Sequence, residues 1–175
     1  EMGAASDLHL IGCAYRELGQ YDAAISAFEE ARGLWKKNKE VIHVARCDQK
    51  IASCYNRLGD GEKALDRARL ALDVFETAHD HRRQIITLFE YSKALDLLED
   101  FEEALATLDQ VLTTASEEEP RDFEFIVDIE SQIASILRKV NREEEAIEIE
   151  RRLSSVRAIL ADEESSDQSS DSSDN

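Results

Sequence analysis

Two histidine–cysteine pairs, His9 with Cys13 and His43 with Cys47, stand four residues apart. On a helix that spacing puts both side chains of a pair on one face, where they could hold a metal ion. Each pair offers only two ligands where a structural zinc site takes four, and the pairs belong to different faces. They read as ordinary helix residues, and no metal is expected. With Cys54 the thiols make an odd count without a C-x-x-C, which fits small buried residues in a reducing, cytoplasmic setting. Nucleophile elbow, Gly-rich phosphate loop and H-E-x-x-H are all missing, so neither an enzyme nor a cofactor is expected. The glutamate runs 117–119 and 143–145 fall at helix starts, where negative charge complements the helix dipole. The acidic serine run 162–175 can be read as a phosphorylation substrate, a lure for a basic partner or a solubility tail.

The elements that carry these residues are helices. One proline and six glycines in 175 residues, with abundant Ala, Leu, Glu and Arg, favour helix nearly throughout. A net charge of −18 repels nucleic acid and anionic membranes, so neither is an expected partner. Six acids and no base lie in 162–174, leaving −12 on the rest. No apolar run approaches the roughly 20 residues that span a bilayer, and no leader opens the chain. A first residue of Glu1 reads as a piece of a longer protein.

Four segments align without gaps: GCAYRELGQYDAAISAFEEA (12–31), ASCYNRLGDGEKALDRARLA (52–71), SKALDLLEDFEEALATLDQV (92–111) and ASILRKVNREEEAIEIERRL (134–153). A small residue opens each one: Gly12, Ala52, Ser92, Ala134. Leu18, Leu58, Leu98 or Val140 precedes a turn at Gly19, Gly59, Glu99 or Asn141, and Ala24, Ala64, Ala104 or Ala146 follows it. Apolar spacing of three and four on both sides of the turn marks two amphipathic helices per copy. The two columns of small residues let those helices approach closely. Gly suits the turn, whereas Glu99 and Asn141 leave the third and fourth turns less well specified. Asp60, and Asp100 with Glu103, suit helix caps. One such hairpin cannot bury both apolar faces, so the copies must stack.

These columns resemble the tetratricopeptide-repeat family over roughly residues 5–160, and in particular its long, about 40-residue form seen in kinesin light chains and G-protein-signalling modulators. The resemblance implies an all-α, right-handed solenoid of four hairpins. Helices are expected near 6–18, 21–37, 40–58, 61–79, 82–98, 101–116, 121–140 and 143–161, with Pro120 opening the seventh. Residues 1–5 are a disordered lead. The repeat domain covers 6–161, as copies about 5–38, 39–80, 81–118 and 121–161, and 162–175 is a disordered tail. Phe28, Ala68 and Leu108 offer each second helix's apolar face to the next copy. In the fourth copy Glu150, Ser154 and Arg157 make that face polar while Ala146, Ile149, Leu153, Val156 and Leu160 point inward, as a terminal cap requires. Leu8, Leu10 and Ile11 make no such cap at the front, so more repeats are expected to precede.

In the resembled family the first helices of successive repeats line a groove that receives a peptide or protein segment. Transferred column by column, that groove holds Ser6, His9, Cys13 and Arg16, then Arg46, Gln49, Ser53, Asn56 and Arg57. Ile86, Phe89, Lys93 and Asp96 follow, and the fourth copy adds Asp128, Ser131, Ser135 and Arg138. The expected partner contacts are Arg16, Arg46, Gln49, Ser53, Asn56, Arg57, Phe89, Lys93, Ser131, Ser135 and Arg138. Five bases against two acids point to an acidic or carboxylate-bearing segment, with Ile86 and Phe89 as an apolar anchor. The family's carboxylate clamp is not matched. Its columns read His9, Cys13, Ser53, Phe89 and Lys93, with Lys50 and Glu90 beside them, and only the last base could serve. A scaffold, adaptor or chaperone-like module is the function implied. The alternative is the ligand-sensing half of a peptide-responsive regulator whose effector domain lies N-terminal.

Overall fold

A computed structural model of the chain describes residues 2–117 and 122–155. Those residues form α1 (Met2–Glu17), α2 (Tyr21–Lys37), α3 (Val41–Leu58), α4 (Gly61–Thr77), α5 (His81–Leu97), α6 (Phe101–Glu117) and α7 (Phe123–Lys139). An eighth helix, α8, covers 143–155. Every helix expected from the repeats is present, and the boundaries agree to within four residues where they are described. The largest difference is at the front. Residues 2–5, read as a disordered lead, are the first turn of α1, and Ala5 is fully buried. Ala5 packs with Ala31, Trp35 and Cys47, an anchorage from α2 and α3 that periodicity alone does not reveal. Pro120, the end of the last helix (156–161, with Val156, Arg157 and Leu160) and the 162–175 tail lie outside the described residues.

The helices end in one repeated way. Gly19, Lys39, Gly59, His79, Glu99 and Asn141 all adopt positive φ, between 53° and 79°. The next residue's N–H then reaches back five positions, as in Gln20 to Tyr15, Asp60 to Tyr55, Asp100 to Leu95 and Arg142 to Leu137, at 2.8–3.0 Å. This closes the carbonyls left open at a helix end. The turns at Glu99 and Asn141 therefore have the same form as the glycine turns. Left-handed backbone strains a residue with a Cβ, so Glu99→Gly should raise stability by about 0.5–1 kcal/mol once glycine's greater freedom in the unfolded chain is offset. A urea midpoint at or below wild type would contradict that. Asp60, Asp80 and Asp122 then cap the following helices, accepting the N–H of Lys63, Arg83 and Phe125. The structure bears out the cap expected at Asp60 and adds those at Asp80 and Asp122; Glu103, expected to share a cap with Asp100, accepts instead from the Tyr91 hydroxyl.

The chain divides into two compact units, Glu1–Glu117 and Glu118–Asn175. In the first, the column of small residues has a direct physical reading. A Cβ on Gly12 would stand 2.7 Å from the Phe28 ring, itself fully buried. Phe28 packs with Ala24 on its own hairpin and with Ile51 and Cys54 on the next, so the second helix of one repeat seats the first helix of its successor. Ala45, Ala71 and Phe75 make a further cluster between α3 and α4. Ala68 and Leu108 are fully buried, as their positions require. Across hairpins α1 touches α3 and α3 touches α5, whereas among the described residues the backbones of α2 and α4, and of α4 and α6, do not approach. Within this unit α1, α3 and α5 thus form the inner surface and α2, α4 and α6 the outer one.

In the second unit α7 and α8 bury Ile129, Ala134, Ile136, Leu137, Ala146 and Leu153. Arg138 meets Glu150 at 2.8 Å and Arg152 meets Glu130 at 2.9 Å. The half-buried Glu150, expected on a solvated cap, is therefore also half of an ion pair that ties α8 to α7.

Candidate partner-binding surface

α1, α3 and α5 carry the expected contacts of the first unit, and the structure divides them into two groups. The first serves packing. Gln49 is buried and donates to Thr87 Oγ1 at 2.7 Å and to the Arg83 carbonyl at 3.2 Å. Asn56 donates to both the carbonyl and the carboxylate of Glu90, each at 2.8 Å. Phe89 is buried beneath Lys93, whose Nζ stands 4.0 Å from the ring centre and 3.3 Å from Glu90. Gln49 and Asn56 thus tie α3 to α5 and hold the inner surface in shape, while Phe89 lies buried under the Lys93 of its own helix. Polar type and helical phase mark such residues as groove-lining, and only the neighbouring helix shows that their hydrogen bonds are already used.

The second group is presented. Arg16, Arg46 and Ser53 are half-buried, and Arg57 is exposed. Lys50, set beside the groove columns in the sequence, joins them: its ammonium is destabilised by burial and then by the charge of Arg16, with Arg46 adding to the effect. Ile86 is at the margin of exposure. Ser131, Ser135 and Arg138 lie on α7 in the second unit. Ser131 donates to the Val127 carbonyl, Ser135 is exposed, and Arg138 faces Glu143 as well as Glu150.

Ser6, His9, Leu10, Trp35, His43 and Arg46 line a half-open cavity of about 180 Å³ between α1, the end of α2 and the start of α3. His43 stacks on Trp35 with ring centres 4.3 Å apart. The histidine–cysteine spacing resolves differently from either pair. His9 Nδ1 stands 3.7 Å from Cys47 Sγ on the other helix, and no group of three potential ligands occurs among the described residues. Burial, then the charges of Arg46, Lys50 and His43, bring His9 down to about 4. Burial pushes Cys47 up to about 12 and Cys54 up to about 11. At neutral pH these groups are an uncharged imidazole and two protonated thiols, not an activated nucleophile.

His9 adds a pH dependence to stability. Between about 4 and 6.5 the unfolded chain holds the proton that folded His9 refuses, so stability falls as pH falls through that window. The urea midpoint should drop between pH 7 and pH 5 by less in His9→Gln than in wild type. Equal drops would show that His9 is not the group responsible.

Family models of the tetratricopeptide repeat match residues 44–117 and 8–32, together more than half of the chain. Regulatory protein RapG of Bacillus subtilis (strain 168) is 29% identical over 105 residues, which is 59% of this chain and 29% of that protein. The chain spans less than a third of that curated relative. Among solved structures, the kinesin light chain TPR-like repeats of Podosopora anserina superpose with a TM-score of 0.71 at 16% identity, covering 90% of this chain and 77% of theirs. A Rap protein complexed with Competence and Sporulation Factor gives a TM-score of 0.77 at 18% identity, over 85% of this chain and 42% of the other. At such identities the structural likeness speaks for the fold. Among the described residues no helix is long and apolar enough to cross a membrane.

Proposed function

Because the chain belongs to the tetratricopeptide-repeat family, we propose that the inner surface of its first unit binds a peptide or protein segment of acidic character. The observation that carries this is one of sign. In a chain with 39 acids and 21 bases, the inner helices α1, α3 and α5 carry Arg16, Arg46, Lys50, Arg57 and Lys93 in or beside the columns expected to line the groove, with Glu90 and Asp96 among them. Basic groups on a rigid helical face select an oppositely charged segment and speed its encounter, while the surrounding negative field discourages long polyanions. Ser131, Ser135 and Arg138, expected as contacts in the second unit, are proposed as contacts of that unit by itself. A role as scaffold or adaptor rather than catalyst is supported by thiols that stay protonated and an imidazole that stays neutral.

Peptide display on the full chain tests this. Selected peptides should be enriched in Asp and Glu, and Arg46→Glu, Arg57→Glu and Lys93→Glu should each weaken them, with a loss that shrinks at high salt. Peptides without acidic enrichment, or affinities indifferent to all three changes, would sink the proposal. The similarity to RapG supports a second reading, in which the chain is the ligand-sensing part of a regulator and an N-terminal effector responds. That reading requires bound peptide to change the radius of gyration in solution scattering, and an unchanged radius would count against it.

A further inference from the structure

Arg46 and Lys50 stand one turn apart on α3, and both are partly buried. Among the described residues neither makes an ion pair or a side-chain hydrogen bond. The other cations in that position, Lys36, Lys37, Lys39, Arg57 and Arg82, are all exposed. Withdrawing a cation from water without a counter-charge costs free energy. A shortage of acids is not the cause in a chain that has 39 of them. Glu90, whose charge favours the Lys50 ammonium, directs its carboxylate oxygens to Asn56 and Lys93. Arg16, whose charge acts on Lys50, spends one of its two terminal nitrogens on Glu17 at 3.0 Å, and its Nε is a buried donor with no acceptor.

Building on the segment-binding reading above, we propose that Arg16, Arg46 and Lys50 form a subsite for a phosphate monoester carried by the bound segment. A carboxylate answers one guanidinium in a fork. A phosphorylated side chain brings about two charges and three acceptor oxygens, enough for all three cations at once. The positive field is already expressed in the protein, since Arg46 and Lys50 help keep His9 neutral and Arg16 and Arg46 destabilise the Lys50 ammonium. Arg46 also lines the cavity walled by Leu10 and Trp35. At about 180 Å³ that cavity is smaller than a drug-sized pocket and suits a single side chain next to the phosphorylated one. The net charge of −18 favours one isolated phosphate over a polyanion.

The probe is N-acetyl-O-phosphoserine amide, titrated into the full chain and followed by backbone amide shifts, with N-acetylglutamate amide and inorganic phosphate in parallel. Shifts are expected at residues 13–16 and 46–50. Affinity should fall about tenfold in Arg46→Gln and in Lys50→Gln, the loss of one charge-assisted contact, and stay unchanged in Arg82→Gln, an exposed cation outside the expected contacts. The glutamate probe should bind at least about tenfold more weakly. Thermal unfolding supplies an independent check: removing an unpartnered, partly buried cation should leave the midpoint unchanged or raised. Absent shifts at those residues, an equal response to glutamate, or indifference to both substitutions would overturn the subsite. Equal affinity for inorganic phosphate would overturn its assignment to a segment. A phosphorylated peptide that binds Arg46→Gln and Lys50→Gln with full affinity, but is still weakened by Arg57→Glu and Lys93→Glu, would defeat the subsite while leaving the segment-binding reading intact.

Discussion

Asp48→Leu should cost about 3–5 kcal/mol of stability, because it removes the acid at the centre of a four-residue charge cluster. Asp48 lies on α3 with only 2% of its surface exposed. It accepts a hydrogen bond from Arg67 of α4 at 2.8 Å. Arg32 Nε of α2 lies equally close to the same oxygen, but too poorly aligned for a hydrogen bond, so that contact is an ion pair. Arg67 also reaches Glu29 of α2, bridging second helices whose backbones do not meet. Without Asp48 two guanidiniums, each about a quarter exposed, share one remaining acid. Asp48→Asn should cost less, since it keeps an acceptor but loses the charge. The quadruple change Glu29→Gln, Arg32→Met, Asp48→Leu, Arg67→Met should recover much of the loss, because a cluster replaced whole leaves no charge stranded. Denaturant midpoints decide: if Asp48→Leu unfolds within about 0.5 kcal/mol of wild type, the range of an ordinary surface change, the cluster does not hold the two hairpins together.

Ala64→Leu should cost about 1–3 kcal/mol by overpacking. Ala64 has no exposed surface, and it lies one turn beyond Gly61, where α4 begins. A Cβ on Gly61 would stand 3.0 Å from Leu97 Cβ and 3.1 Å from the Ala94 carbonyl, so the start of α4 lies tight against the end of α5. A leucine there must push two helices apart or adopt an unfavourable rotamer. Ala106→Leu on the exposed side of α6 is the matched control, and it should change stability by no more than about 0.5 kcal/mol. Equal midpoints for both variants would mean that the alanine column does not mark a close helix contact.

The sequence by itself determined the repeat, the helices and their phase. Small residues at Gly12, Ala24, Ala52 and Ala64 recur because backbones must approach there, and each consequence is local to one hairpin and its successor. Even where glycine is missing, at Lys39, His79, Glu99 and Asn141, the left-handed turn follows from where the helices stop. Tertiary structure decided which polar residues are free. Gln49 and Arg46 sit three positions apart on α3, with the same helical period and comparable polarity. Thr87, 38 residues further on, takes up the side chain of Gln49 and leaves Arg46 unpaired. The same holds for Asp48, a buried carboxylate whose charge is met by Arg32 and Arg67 from two other helices. Periodicity reports which side of a helix a residue occupies. Whether its hydrogen bonds and charge are satisfied depends on partners on other helices, and those are chosen by packing.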